Sequence, residues 1–198
     1  MGGNTICAKG FRPVTSCLFC FSKLLRDRDT QRNLLPNGNA GNGVKPGYEN
    51  HPQLRWGGSL STSDTVKAEG KKSFLFTIKG HDTLFWIHAK AKPGTVYLAT
   101  FKARIAKPSS EGYLETVLYR TKNGRNQQWR KPPLKLSGGI WQTFPFMTST
   151  NADSNGVELR IYLRKFDKGD KNYIDDIHLI EVGPVMLDKP AEKGKPAA

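Results

Sequence analysis

The stretch GVELRIYLRKF, residues 156–166, decides the fold class. Val157, Leu159, Ile161 and Leu163 alternate with Glu158, Arg160, Tyr162 and Arg164. A period of two sends successive side chains to opposite faces of an extended strand, so the apolar set points to a core and the polar set away from it. KSFLFTIKG (72–80) repeats the pattern, with Phe74, Phe76 and Ile78 set against Leu75, Thr77 and Lys79. So does TVYLATFKARIA (95–106), where Tyr97, Ala99, Phe101, Ala103 and Ile105 share one face. Its other face carries Leu98, Thr100, Lys102 and Arg104.

Between the alternating runs lie KPG (92–94), KNGRN (122–126), SGG (137–139), NADSNG (151–156) and DKGDKN (167–172). Glycine, asparagine, aspartate and proline in these clusters are turn chemistry. No long helical pattern competes with them. The expectation is an all-β chain, an antiparallel β-sandwich of eight to nine strands in two sheets.

The chain has 198 residues, enough for one domain with tails, and its hydrophobic fraction of 37% suffices for one core. It has no apolar run of the length that crosses a bilayer as a helix, so membrane insertion is not expected. Net charge is +14, and residues 33–183 alone hold 22 Lys/Arg against 13 Asp/Glu. A surface of that sign attracts polyanions such as acidic polysaccharide, nucleic acid or anionic lipid.

Cys7, Cys17 and Cys20 all lie near the N-terminus, so the core does not depend on disulfides. Cys17 and Cys20 have CxxC spacing, but no second pair or histidine cluster completes a zinc site. Residues 1–32 read as an N-terminal extension, either a degenerate export signal or a disordered segment. FRPVTSCLFCFSKLL sets basic residues before a short apolar stretch, yet Thr15 and Ser16 interrupt it and no small-residue cleavage site follows. LLRDRDTQR fits a brief helix. Residues 184–198, rich in proline, lysine and alanine, read as a disordered basic tail.

The order of the central pieces resembles the CenC-type carbohydrate-binding modules. NLLPNGNAGNG (33–43) is similar to their opening NLLxNGxFExG, and Trp56 follows in LRWGG. GKKSF (70–74), AKPGTVYLATFKARIA (91–106), WQTFPFMTSTNA (141–152) and VELRIYL (157–163) come next, and YIDDIHLIEV (173–182) closes the series. The resemblance spans residues 33–182. It implies a β-jelly roll, galactose-binding-like, whose concave sheet binds polysaccharide. It also implies a structural calcium away from the cleft and no catalysis. Modules of this kind are attached to secreted hydrolases or lyases, so an extracellular or periplasmic place and a carbohydrate-active enzyme as companion are expected.

Asp175 and Asp176 interrupt the closing stretch. On a regular strand consecutive residues face opposite ways, so the two are no acid and base pair for one bond. The resemblance implies a calcium role, with Glu69, the carbonyl of Lys72, a carbonyl near Asn39 and one of Asp175 and Asp176 as ligands. Alternation puts Asp175 on the face of Ile177 and Leu179 and favours it. Ala40 and Gly41 stand where the family has Phe and Glu, which removes one carboxylate. The alternative is that Asp175 accepts hydrogen bonds from the backbone of residues 33–43 and pins the first segment.

Sugar rings present apolar C–H faces, so a glycan cleft needs aromatic platforms beside polar groups. Trp56 and Trp141 match framework positions of the family and are expected in the core. Trp86 lies in a strand whose two faces are equally apolar. Trp129, among Gln127, Gln128, Arg130 and Lys131, reads as part of a loop. Arg160 and Tyr162 are expected to stand outward, with Tyr119 beside them. If Lys102 and Arg104 share their sheet, the cleft is cationic and suits an acidic or sulfated glycan.

Three functions fit: a polysaccharide-binding module, a nucleic-acid or general polyanion binder, and a structural jelly roll for adhesion. Nucleic acid is disfavoured because the basic residues are scattered rather than gathered on one element. His51, His81, His88 and His178 sit in no nucleophile or metal motif, so an enzyme is not expected. A monomer is.

Overall fold

The computed structural model describes residues 31–35, 37–43, 53–108, 111–122, 125–130 and 133–184, with backbone only at 53–56, 81, 118–122 and 125–130. The readings made for the N-terminal extension, for Cys17 and Cys20, and for the tail therefore lie outside the described residues, apart from 31, 32 and 184.

Eight strands follow in order: β1 (Gln53–Ser63), β2 (Ser73–Lys90), β3 (Thr95–Ile105), β4 (Tyr113–Lys122), β5 (Arg125–Arg130), β6 (Gln142–Ser149), β7 (Gly156–Arg164) and β8 (Lys171–Pro184). All their pairings are antiparallel. No helix occurs among the described residues, so none there is long and apolar enough to cross a membrane.

β2 organises the sandwich. Gly80 takes φ 126°, a conformation costly for any residue with a Cβ, and the strand bends there. Before the bend Phe74–Thr77 pair with β8, and after it Thr83–Lys90 pair with β7. β1 follows β2 round the corner with a register shift between Trp56 and Gly58. The result is two sheets, β5-β4-β7-β2-β1 and β1-β2-β8-β3-β6, which share the hairpin partners β1 and β2.

The core fills the space between them. Phe85, Ile87, Leu159, Ile161 and Leu163 come from the first sheet, and Phe74, Phe76, Tyr97, Phe101, Phe146 and Ile177 from the second. Phe76 meets Phe85 edge-on at 5.2 Å between ring centroids, which joins the sheets across the bend. The apolar faces read from alternation in 72–80, 95–106 and 156–166 are the faces that are buried.

Past Ile174, β8 runs beyond the start of β2, and Asn33, Leu34 and Gly38 bond to the edge left there. Leu34 N–H donates to Leu179 O at 2.9 Å and Ile177 N–H donates to Gly38 O at 3.0 Å. Asn33 serves the same edge with its side chain, donating to Ile177 O and accepting from Leu179 N–H. A Cβ at Gly38 would lie 1.8 Å from Ile177 O, so only glycine lets the segment approach this closely. Asn37 closes the turn by bonding Gly43 O and Asn42 N–H. Ala40, at the Phe place of the resemblance, is fully buried in the main core.

Candidate functional site

The face of the first sheet turned away from the core carries most of the expected binding residues. Strand register sets them in rows. Leu84, Tyr162 and Glu115 lie opposite one another on β2, β7 and β4. The next row is Trp86, Arg160, Val117 and Arg130, and the next is His88, Glu158, Tyr119 and Gln128. Leu84, Val117 and Tyr162 form a second apolar cluster, separate from the main core, and half-buried Trp86 packs against it.

Two arginines are held on this face by carboxylates. Arg160 Nε bonds Glu158 Oε1. Arg164 Nη1 lies 2.6 Å from Asp82 Oδ2 and its Nε 3.2 Å from Glu115 Oε2, with Cζ 4.6 Å over the Tyr162 ring. Burial works against the Arg164 charge, but the bonds from Asp82 and Glu115 outweigh it and hold its pKa above the ordinary arginine value.

Several expectations change here. Tyr162 does not stand exposed: it is 8% accessible, because the outer face of the sheet has an apolar cluster of its own. Trp129 is not in a loop but on β5, opposite Leu118 of β4. Lys102 and Arg104 belong to β3, so they line the other sheet and do not join Arg160. Trp141 is not a core residue. It is half-buried on the outer side of the second sheet, edge-on to Tyr173 at 6.5 Å. Tyr119 lies on β4, opposite Glu158 of β7.

The aspartate pair occupies the other sheet. β8 has a bulge there: Asp175 is opposite Lys102 and His178 opposite Thr100, so Asp176 and Ile177 together oppose Phe101 alone. Asp176 adopts φ 52° to make the extra step. The bulge breaks the alternation, so Asp175 does not share the face of Ile177 and Leu179. The Asp175 carboxylate instead reaches the loop before β2. Asp175 Oδ2 accepts the amides of Ala68 at 2.7 Å and Glu69 at 3.0 Å, and its Oδ1 accepts the Asp176 amide at 2.8 Å. Burial raises the Asp175 pKa, against the lowering effect of those three amides.

Asp176 Oδ1 meets His178 Nε2 at 2.6 Å and its Oδ2 meets Lys102 Nζ at 3.1 Å. Lys102 also bonds Glu69 Oε1. Desolvation opposes the lysine charge, but the bonds to Glu69 and Asp176 keep its pKa above the ordinary value. Asn39 lies beside the loop, where a Cβ at Gly70 would come within 3.3 Å of its Nδ2, and its Oδ1 accepts the Gly41 amide. Lys72 stands half-buried just ahead of β2. The structure thus gathers Asn39, Glu69, Asp175 and Asp176 as the sequence suggested, and adds Lys102 and His178, which it did not. The amides that bind Asp175 come from 68–69, not from residues 33–43.

No family model matches the chain, and no curated relative does. Solved structures do. The chain is similar to a family 16 carbohydrate-binding module at 21% identity, over 75% of this chain and all of that one, with a TM-score of 0.55. It is similar at 14% identity to the family 61 module TmCBM61, solved with β-1,4-galactotriose, over 76% of this chain and 99% of that one, TM-score 0.53. A CBM22 xylan-binding domain of Paenibacillus barcinonensis matches at 17% identity over 67% and 86% of the two chains, TM-score 0.52. These likenesses show the fold, a jelly-roll β-sandwich.

Proposed function

We propose that this domain binds polysaccharide without cleaving it, on the outer face of β4, β7 and β2, with Trp86 as the platform for a sugar ring. The observation that carries this reading is Trp86 itself. It is half-buried on a cluster that the main core does not need, in register with Arg160, on the sheet face opposite the core. An indole packed against a small apolar support offers an aromatic surface to sugar C–H groups. Arg160, steadied by Glu158, stands beside it to serve hydroxyls or a carboxylate. Tyr119 of β4 and Gln128 of β5 lie opposite one another, two positions along from Val117 and Arg130. The similar module solved with β-1,4-galactotriose and the similar xylan-binding domain support a glycan as the ligand class.

The charge of +14 favours an acidic glycan within that class. In this reading the protein works outside the cell or in the periplasm, alongside a carbohydrate-active enzyme. The test is calorimetric titration of the full chain and of Trp86→Ala with galactan, xylan, pectin and alginate oligosaccharides at low and high salt. The expected result is binding to one glycan class that Trp86→Ala weakens by about tenfold or more. Binding untouched by Trp86→Ala overturns the assignment of the face. Retention of DNA and alginate alike, lost together at high salt, overturns a glycan site in favour of general polyanion binding.

A further inference from the structure

Calcium was one of two roles open for the aspartates of the β8 bulge, and the residues found there do not fit it. Calcium needs six to eight oxygens about a point free of other cations. Glu69 and Asp176 do converge, but on the ammonium of Lys102, which bonds the first and lies 3.1 Å from the second. Lys102 projects from β3 with its side chain 19% exposed, and the Asp176 side chain is 3% exposed, so that pairing is shielded from water, while Glu69 closes the corner from its solvent side at 48% exposed. The other carboxylate, Asp175, takes three backbone amides. Among the described residues no group of three or more His, Cys, Asp or Glu is arranged to hold a metal.

We propose that Lys102 is the built-in cation of this fold: its ammonium ties the loop before β2 to the β8 bulge in place of a metal ion. The physical case is charge balance. Two carboxylates brought together at a partly buried corner need a counter-charge, and a divalent ion placed there would be repelled by an ammonium already in contact with both. A lysine reaches the point from a neighbouring strand with no ion to recruit, so the corner closes at any calcium concentration.

Thermal melting of the full chain with added calcium, with EDTA and with neither is the first test. The three melting temperatures are expected to coincide, and calcium titrated by calorimetry to give no binding heat. Stabilisation by calcium or a drop in EDTA overturns the proposal. The second test compares Lys102→Met with Lys102→Arg. Lys102→Met leaves two carboxylates facing each other and is expected to lower the melting temperature by roughly 5–10 °C, or to prevent folding. Lys102→Arg keeps a cation and is expected to recover at least half of that loss. An unaltered Lys102→Met, or a Lys102→Arg as damaged as Lys102→Met, overturns it.

Discussion

Charged pairs on the outer face of the first sheet join neighbours that strand register already supplies, whereas Asp175 and Lys102 at the β8 bulge also reach the loop before β2, which lies outside the strand ladders. Glu158 and Arg160 are two positions apart on β7, and Arg164 meets Glu115 on the adjoining strand. At the bulge, Asp175 bonds amides 106 and 107 positions earlier, and Lys102 reaches a glutamate 33 positions earlier. A charged pair between residues already in register fixes no new segment, and its removal leaves the strands paired as before. A shielded carboxylate that fixes a loop contributes more, because its removal strands buried donors.

The sharpest way to break this contrast is at Gly38. Gly38→Ala forces a Cβ against Ile177 O, so residues 33–38 must leave the edge of β8. The expected loss is about 3 kcal/mol or more in denaturant unfolding. A stable Gly38→Ala would show that this segment is ornamental. Asp175→Ala comes next, at roughly 1–3 kcal/mol, since the amides of Ala68, Glu69 and Asp176 lose their acceptor. Asp175→Asn should recover part of this, because one carbonyl oxygen remains. Equal melting of all three proteins would remove the corner's claim to stability.

The smallest effect tests the other region. Tyr162→Ala empties part of the Leu84, Val117 and Trp86 cluster and should cost about 2 kcal/mol, while Tyr162→Phe should cost well under half of that. Near-equal unfolding of Tyr162→Ala and wild type would mean that the cluster supports nothing. A large loss in Tyr162→Phe would locate the contribution in the hydroxyl instead.

The strands and the core faces were legible because each is written in consecutive residues: Val157 to Leu163, or Tyr97 to Ile105, announce their own geometry. Three features were not. The second cluster draws Leu84, Val117 and Tyr162 from three strands, so no single stretch shows that Tyr162 is sheltered. The bulge hides in the period itself, since Asp175 and Asp176 read as ordinary alternation until Asp176 takes a positive φ. Lys102 looked like one more outward cation on a polar face, and only the pairing of β3 with β8 reveals what it touches. The resemblance supplied the right neighbourhood of residues at the bulge, while the cation found among them came from elsewhere in the chain.

β2, bent at Gly80, is common property of both sheets, and that has a mechanical consequence. A glycan pulling on Trp86 would pull on the same strand that carries Phe74 and Phe76 in the opposite layer. Tension entering at Trp86 would therefore pass along covalent bonds into the second sheet. It does not depend on side-chain packing to cross the sandwich, and the two layers resist a tug as one body.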